Sequence, residues 1–387
     1  MIAFDITDEQ REFRDLARRF ARETIRPIAP EADETEEVPW EVLEKAHQVG
    51  LLNYGLPEEF GGGGVESLLT RCIVDEELFW GCAGVASILG GVGLCYVPIL
   101  LAGTQEQKAK YLPWFCDPKK VRLGAFALTE PTAGSDAGGI RTHARLEGDT
   151  YVLNGSKTFI TNGGIAEIYI VFATIDAELG LDGITALIVE RNWPGVSTGK
   201  SEKKLGIRAS NTASLSFENV VVPVENRLGQ EGEGFKIAMR TFDLTRTHTA
   251  AGAVGIARAA FEYAHDYAHE RTQFGRPVGR FQAVAFMLAD MATQIDAARL
   301  LTWHAAWLSD QGKPCTMQAS MAKAFAGDTA VNVTTEAVQI LGGYGYMRDY
   351  PVEKWMRDAK IMQIYEGTAQ IQRLVIARQL RNSMGAN

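Results

Sequence analysis

The sequence predicts an α+β multi-domain protein with an N-terminal α-helical domain, a middle β-barrel-like domain and a C-terminal helical bundle. Three observations predict this fold class. Apolar residues recur at helical spacing up to about residue 112, and short β-type runs separated by turns fill residues 121–224. The helical period then returns and persists to the end of the chain. We therefore expect domains at 1–120, 121–228 and 229–387.

The composition supports a folded protein and narrows its partners. The chain has 387 residues, of which 46% are hydrophobic and 22% are charged, values that argue against disorder. At roughly 100–200 residues per domain, this length suits two to four domains. The net charge is −9. Because nonspecific nucleic-acid binding needs a basic face, we expect no nucleic-acid partner.

The N-terminal domain begins with a recognisable helix start. Thr7 and Gln10 have the spacing of a capping box, and apolar residues at helical spacing follow. These signals predict a helix over residues 8–28 that ends near Pro27 and Pro30. A second helix is expected from Trp40 to Val49.

Two further segments of this domain need interpretation. The run Gly61–Gly64 is expected to be a loop rather than a phosphate-binding P-loop, because no Lys-Ser or Lys-Thr follows it. The stretch Leu78–Gln105 contains no charged residue and is long enough to span a bilayer. Its several glycines and Pro98 favour a buried helix pair instead, so we expect no membrane span.

The cysteines and the N-terminus predict a cytoplasmic location. The five cysteines are odd in number and no pair has C-x-x-C spacing, which argues against a disulfide scaffold and a zinc ribbon. The first residues lack a basic region and an apolar region, so no signal peptide is expected.

The middle and C-terminal parts show different patterns. Asn154-Gly155 between alternating runs is a strong hairpin signal and supports a compact β domain. Beyond Gly232, alanine-rich runs such as Phe281–Ala306 and Ala319–Leu341 suit long bundle helices.

Three polar clusters could carry chemistry, and each has a simpler reading. Thr129–Asp136 could present oxygens and N–H groups to a polar ligand, or could be a turn with Asp and Ser caps. Arg271–Arg276 suits a pyrophosphate, or is a helix end whose cations favour the dipole. Glu366 follows an apolar run. If it is desolvated, its pKa rises and it becomes a useful general base; otherwise it is an exposed helix-end residue.

One histidine pair has the spacing of metal ligands. His265 and His269 stand four residues apart on a predicted helix, but they are interleaved with acidic residues and no third ligand is evident. A solvated helix face explains them better, and no metal site is expected.

Taken together, the clusters resemble the acyl-CoA dehydrogenase family over about residues 5–380. The family has the same helical–β–helical order, with a four-helix bundle at the C-terminus. The motifs that carry the resemblance are Leu128-Thr129-Glu130-Pro131 with Ala133-Gly134-Ser135-Asp136; Asn154-Gly155-Ser156-Lys157-Thr158-Phe159-Ile160-Thr161-Asn162; Glu270-Arg271 with Phe274-Gly275; Gln339-Ile340-Leu341-Gly342-Gly343; and Ile364-Tyr365-Glu366-Gly367-Thr368.

The resemblance implies a noncovalently held FAD. The residues similar to those along the flavin are Phe126, Leu128, Thr129, Phe159 and Thr161, with Ser135 nearby. Those similar to residues that grip the FAD of a neighbouring subunit are Arg271, Phe274, Gln282 and Gln339 through Gly343, including Gly342. Thr368 and Gln370 resemble contacts to a subunit's own FAD. This shared site implies a homo-oligomer, usually a tetramer.

The resemblance also implies a reaction. Glu366 is expected to take the α-proton of an acyl-CoA thioester while the β-hydrogen leaves as hydride to flavin N5, giving the trans-2-enoyl-CoA. Electron-transferring flavoprotein is the expected electron acceptor. The residues that look like substrate contacts are Ser135, Asp243, Arg246, Tyr365 and Gly367.

The chain departs from the family pattern at two positions. Phe159 stands where a Trp is common, and it can still cover a flavin face without an indole N–H. Some branches, including isovaleryl-CoA dehydrogenases, carry the base at the position of Thr245. Threonine cannot serve as a carboxylate base, so the chain resembles the Glu366 type.

The acyl preference and the rival functions stay open at this point. The expected substrate is a short- or medium-chain, branched or cyclic acyl-CoA. Within that range, Gly90 and Gly91 in the expected pocket floor suggest a roomy end and favour medium-length or cyclic acyl groups. The alternatives are an acyl-CoA oxidase, a flavin monooxygenase on the same fold and a noncatalytic acyl-CoA-binding relative.

Overall fold

A computed structural model describes residues 5–384. The N-terminal part is helical, and its helices are α1 (Asp8–Phe20), α2 (Arg26–Thr35), α3 (Trp40–Gln48), α4 (Leu68–Gly81), α5 (Ala83–Ala102) and α6 (Gln105–Tyr111). The strands of the middle part are β1 (Gly124–Ala127), β2 (His143–Glu147), β3 (Thr150–Thr161), β4 (Ile168–Thr174), β5 (Ile184–Glu190), β6 (Val196–Ser201), β7 (Thr212–Pro223) and β8 (Arg227–Leu228).

The C-terminal part is again helical and carries one short hairpin. Its elements are α7 (Gly234–Glu270), β9 (Thr272–Gln273), β10 (Arg276–Pro277), α8 (Gln282–Asp310), α9 (Thr316–Leu341), α10 (Val352–Ala359) and α11 (Ala369–Met384). Helices α7, α8, α9 and α11 pack together as a bundle. The predicted helical–β–helical order is confirmed.

The first helix starts as predicted but ends differently. Thr7 and Gln10 form the capping box. The expected stop near Pro27 and Pro30 is wrong, because a π-helical turn at Ala21–Ile25 leads directly into α2, which continues to Thr35. Pro27 falls in the first turn of α2, where a missing N–H removes no intrahelical bond.

Helix α5 forms the centre of the N-terminal part. Among the described residues it is the one helix that is long and apolar enough to cross a membrane. The mean hydropathy of its most apolar 18 residues is 2.1, and 67% of these residues are buried inside the protein. Leu78–Gln105 therefore covers the end of α4, all of α5 and the start of α6, and the predicted burial of this stretch is confirmed. Gly84 lets α5 approach the backbone of Ile207 and Ala209.

The middle sheet folds around its own core. Its strand order is β6-β7-β3-β2-β4-β5-β8, with β1 parallel to β4. One face of β4, carrying Tyr169 and Val171, packs toward Leu215 and Phe217 of β7. The other face, which includes Phe172, packs against the helical core. One face of the sheet is thereby fixed against the helices: β1 and β3 contact α5, and β4 and β5 contact α7.

Candidate active site

A cavity of about 200 Å³ lies where the three parts of the chain meet. Helices α4, α5 and α7, strands β1 and β3 and the turn before α11 all contribute to its walls. The predicted site residues that line it are Phe126, Leu128, Thr129, Phe159, Thr161, Tyr365 and Glu366. Segments distant in sequence thus converge on one enclosed space.

Glu366 sits in a turn whose backbone is held in an unusual conformation. Its φ is +54° and that of Gly367 is +91°, so two consecutive residues are left-handed. This conformation costs roughly 1–3 kcal/mol at a non-glycine residue and persists only where the surroundings enforce it. Gly367 is required as well, because a Cβ there would lie 2.6 Å from Gln372 Nε2.

Two side chains enforce this turn by gripping its carbonyl oxygens. Lys323 Nζ, on α9, donates to Gly367 O at 2.8 Å. Gln372 Nε2, on α11, donates to the carbonyls of Glu366 and Gly367, each at 3.1 Å. Lys323 is 1% exposed, and burial lowers the pKa of this lysine to about 8 against the attraction of Glu366. Neither Lys323 nor Gln372 was predicted as a site residue from the sequence. A lysine on an alanine-rich helix, for example, gives no local signal of burial.

The Glu366 carboxylate is buried, and its neighbours only partly offset the effect of burial on its pKa. Burial raises the pKa of Glu366 above its ordinary value, and Thr245, Lys323 and His248 only partly oppose this effect. Its Oε2 has no hydrogen-bond partner within residues 5–384, and neither does the neighbouring Thr245 Oγ1. The environment thus favours a carboxyl group that binds a proton more readily than one in water.

A second wall is formed by β1 and β3 around Phe159. This residue has φ +57°, and 67% of it is exposed, so its ring covers open space rather than core. The strand is tied to the loop after β1 by a buried ion pair, in which Lys157 Nζ lies 2.7 Å from Glu130 Oε1. Glu130 also accepts from the N–H of Thr142 at 2.9 Å. The motifs around Thr129 and Phe159 are therefore one structural unit.

The part of the cavity wall formed by α4, α5 and α7 carries polar side chains that the sequence did not reveal. Asp75 on α4 accepts from His248 Nδ1 on α7 and, at 3.3 Å, from Tyr54 Oη. Arg71 and Ser87 line the same region. Charged residues within the apolar α4 were the available signal, but only the fold shows that they meet α7.

Three other predicted contacts lie outside the cavity lining. Asp243 and Arg246 stand one turn apart on α7, with Arg246 Nη1 3.2 Å from Asp243 Oδ1. Arg246 is 5% exposed, and Asp243 also accepts from Thr316 Oγ1 at 2.7 Å. Ser135 is exposed in the turn that follows Glu130.

Some of the residues predicted to contact a neighbouring subunit's FAD line a separate surface groove. Arg271, Gly342 and Gly343 line it together with Tyr344, and the Arg271 guanidinium lies 5.3 Å from the Tyr344 ring. Phe274, at the tip of the β9–β10 hairpin, is 93% exposed. Gln282 and Gln339 are exposed at the start of α8 and near the end of α9. The chain does not bring this group to its own Glu366 cavity.

The last predicted contacts begin α11, close to the Glu366 turn. Thr368 Oγ1 accepts from the N–H of Ile371 at 3.2 Å and caps the helix, while Gln370 is exposed. On α7, His265 and His269 are both exposed.

Fold and cavity define a helical–sheet–helical protein with a buried carboxylate facing a mainly apolar cavity. Family models cover most of the chain: "Acyl-CoA dehydrogenase, N-terminal domain" matches residues 7–119, the middle domain 125–220 and the C-terminal domain 232–381. The chain belongs to the acyl-CoA dehydrogenase family.

Individual relatives agree with this assignment. The chain is 49% identical to the "Acyl-CoA dehydrogenase, short-chain specific" of Clostridium acetobutylicum, over 97% of this chain and 99% of the relative. It is similar to the solved butyryl-CoA dehydrogenase from Megasphaera elsdenii, with TM-score 0.95, 47% identity and coverage of 98% and 100%.

Two further solved structures bear on cofactor and partner. One is described as "Electron transferring flavoprotein of Acidaminococcus fermentans: Towards a mechanism of flavin-based electron bifurcation", with TM-score 0.95, 48% identity and coverage of 98% and 99%. The other is "PigA with FAD and proline", with TM-score 0.94, 28% identity and coverage of 98% and 99%.

Proposed function

We propose that this protein is an FAD-dependent acyl-CoA dehydrogenase that converts a short acyl-CoA to its trans-2-enoyl-CoA, with Glu366 as the base. The observation that carries the proposal is the buried carboxylate of Glu366, whose Oε2 has no partner within residues 5–384 and faces the cavity. A purely structural carboxylate would be paired with a cation or with N–H groups at this depth.

The cavity wall fits a flavin. Phe126, Leu128 and Thr129, from β1 and the loop after it, and Phe159 and Thr161, from β3, line the same cavity. Phe159, with its left-handed backbone, presents a large exposed ring to the cavity rather than to the core, where it can cover the face of a flavin. When bound there, FAD supplies the acceptor for the β-hydrogen as hydride. The FAD named for the related PigA structure supports the same cofactor.

The chain's own groups prepare the proton transfer. A thioester α-proton is a very weak acid, so a base with a raised pKa narrows the mismatch. The backbone N–H of Glu366 makes no hydrogen bond within residues 5–384. Since Lys323 and Gln372 fix the adjacent carbonyls, that N–H is held ready to donate to the thioester oxygen and stabilise developing enolate charge.

We propose further that the active protein is a homotetramer in which each FAD is held by two chains. Arg271 lies about 39 Å beyond Thr245 along the axis of α7, at 1.5 Å per residue. It therefore stands far from the base-side wall of its own cavity and is free to reach a neighbour. The exposed apolar side chains of Phe274, Tyr346 and Phe286, 93%, 78% and 59% exposed, suit burial in such an interface.

The acceptor and location are proposed on the same basis. The similarity to an electron-transferring flavoprotein structure supports electron-transferring flavoprotein as the partner. The similarity to bacterial acyl-CoA dehydrogenases supports a soluble, cytoplasmic protein. Reoxidation of the reduced enzyme by that flavoprotein should be much faster than by air, and the reverse order would indicate an oxidase.

The substitution Glu366→Gln tests the proposal directly. The variant should retain FAD and bind butanoyl-CoA, but lose flavin bleaching by at least about a thousandfold, since no general base remains. Glu336→Gln, at a half-buried position on α9 outside the cavity lining, serves as the matched control and should bleach normally. Near-normal bleaching in Glu366→Gln would overturn the assignment of the base.

A further inference from the structure

One end of the acyl cavity, beside the Glu366 turn, is lined by ordered polar groups that an aliphatic chain does not need. His248 on α7 is held by Asp75 through its Nδ1, and Tyr54 donates to the other Asp75 oxygen. All three side chains line the same cavity as Glu366. Because Nδ1 is engaged, Nε2 is the histidine nitrogen left to meet a ligand.

A second observation at the same place also points to a polar ligand. Ser87, on α5, is 8% exposed, and its Oγ has no hydrogen-bond partner within residues 5–384 although it lines the cavity. An unsatisfied buried hydroxyl costs about 1–3 kcal/mol. A ligand that reaches this end with a polar group would remove that cost, whereas a methyl terminus would leave it in place.

The charges at this end favour a neutral group. The Asp75 carboxylate repels an acyl carboxylate, and the Arg71 guanidinium repels an ammonium group. Arg71 is already committed to backbone carbonyls, with Nε 2.8 Å from Val65 O and Nη2 2.8 Å from Gly55 O. A hydroxyl both donates and accepts, so it can satisfy His248 Nε2 and Ser87 Oγ in either of their roles.

From these observations we infer that the natural substrate carries a hydroxyl on its acyl chain and that His248 and Ser87 recognise it. This inference rests on the proposed dehydrogenase function and specifies the substrate class of that site. Asp75 acts as a positioning residue, because it fixes the ring of His248 without meeting the ligand through a free oxygen.

The test compares matched thioesters on the FAD-loaded protein. Butanoyl-CoA and 4-hydroxybutanoyl-CoA, and pentanoyl-CoA and 5-hydroxypentanoyl-CoA, are scored by kcat/KM for flavin reduction, with glutaryl-CoA as the charged comparator. At least one hydroxyacyl thioester should exceed its unsubstituted partner by about tenfold, as expected for one buried hydrogen bond. His248→Leu should abolish that preference, whereas His265→Leu, on an exposed turn of the same helix, should keep it.

Two further measurements keep the outcomes separate. Tyr54→Phe, which removes only one hydroxyl, should reduce the preference if His248→Leu fails to fold. In the Glu366→Gln background, the flavin absorbance shift reports Kd without turnover, and the hydroxyacyl thioester should bind more tightly there too.

Reduction by unsubstituted thioesters with no hydroxyl preference, or a preference for glutaryl-CoA, would overturn this inference and leave the dehydrogenase proposal standing. Flavin reduction by none of the thioesters would instead overturn the dehydrogenase proposal.

Discussion

Glu366, the proposed base, lowers the stability of the folded protein through the same features that suit it to take a proton. Its left-handed backbone and its incompletely satisfied carboxylate are both unfavourable in the folded state. They persist because Lys323 and Gln372 hold the turn through its carbonyls. A base exposed on a relaxed helix would have neither the raised pKa nor a fixed direction.

The pH dependence of flavin reduction should report this carboxylate. The proposed base, Glu366, would accept a proton only when it is deprotonated, so the rate should rise as the pH rises through its pKa. Because burial raises that pKa, the apparent value should lie above the ordinary 4.3 or so of a glutamate. Stopped-flow reduction by butanoyl-CoA across the acid range measures it. An apparent pKa of about 4 or lower would contradict the desolvated environment.

Lys323→Met should damage catalysis more than binding. The change removes the cation that holds Gly367 O, so Glu366 loses its fixed position while the acyl cavity keeps its lining. The rate of flavin reduction should fall on the order of 10- to 100-fold with little change in KM. Lys236→Met, at an exposed position on α7, is the matched control. A rise in KM with unchanged kcat would assign Lys323 to substrate binding instead.

At the scale of elements, the neighbouring glycines Gly90 and Gly91 of α5 have different structural roles. A Cβ at Gly90 would meet nothing within 4 Å, so this position opens toward the cavity. A Cβ at Gly91 would lie 2.8 Å from Asn162 Nδ2, so this position is needed for close packing of α5 on the sheet domain. Both glycines line the cavity, as expected, but only Gly90 has open space beside its Cα.

The pair Gly90→Ala and Gly91→Ala separates these roles. Gly90→Ala should raise the free energy of unfolding by about 0.5–1 kcal/mol, because alanine loses less backbone entropy in a helix. Gly91→Ala should lower it by about 1–3 kcal/mol through overpacking against the fully buried Asn162. Urea titration of the FAD-loaded variants measures both. Equal effects of the two substitutions would contradict the packing described here.

Features that depend on the spacing and composition of residues near one another in the chain could be predicted from the sequence. The capping box at Thr7, the helical and β regions and the burial of α5 followed from spacing and composition. The continuation of α2 past Pro27 did not, because it depends on a π-helical turn that no residue pattern marks. The Lys157–Glu130 pair and the Asp75–His248 contact are missed for a related reason: each joins segments that meet only in the folded chain.

The whole molecule is organised around α7, which has 37 residues and is about 55 Å long. One part of it supplies Thr245 and His248 to the acyl cavity. Its far end leads to Arg271 and the groove formed with Gly342 and Gly343. A rigid helix of this length cannot bring both regions to the same small ligand, so a second chain is expected to complete each site.

Subunit mixing tests this arrangement. Arg271→Met alone should weaken FAD binding by about tenfold or more, through loss of a charge-assisted contact. When Arg271→Met chains are coexpressed with Glu366→Gln chains, some sites should combine an intact Glu366 with an intact Arg271 from the neighbour, and activity should return. Arg145→Met, in a surface pair on β2, is the control for FAD retention. Absence of rescue in verified mixed assemblies would place both residues in the same site of one chain.

The length of α7 has a consequence for how the assembly comes apart. In the proposed tetramer, α7 would line one chain's acyl cavity and carry the residues that contact its neighbour's cofactor, so it would couple the two sites mechanically. Removing FAD from one subunit would free the end of that helix and loosen the partner's contact, and in turn the partner's own site. Cofactor loss is thus expected to be cooperative, with apoprotein accumulating as dissociated chains rather than as partly filled tetramers.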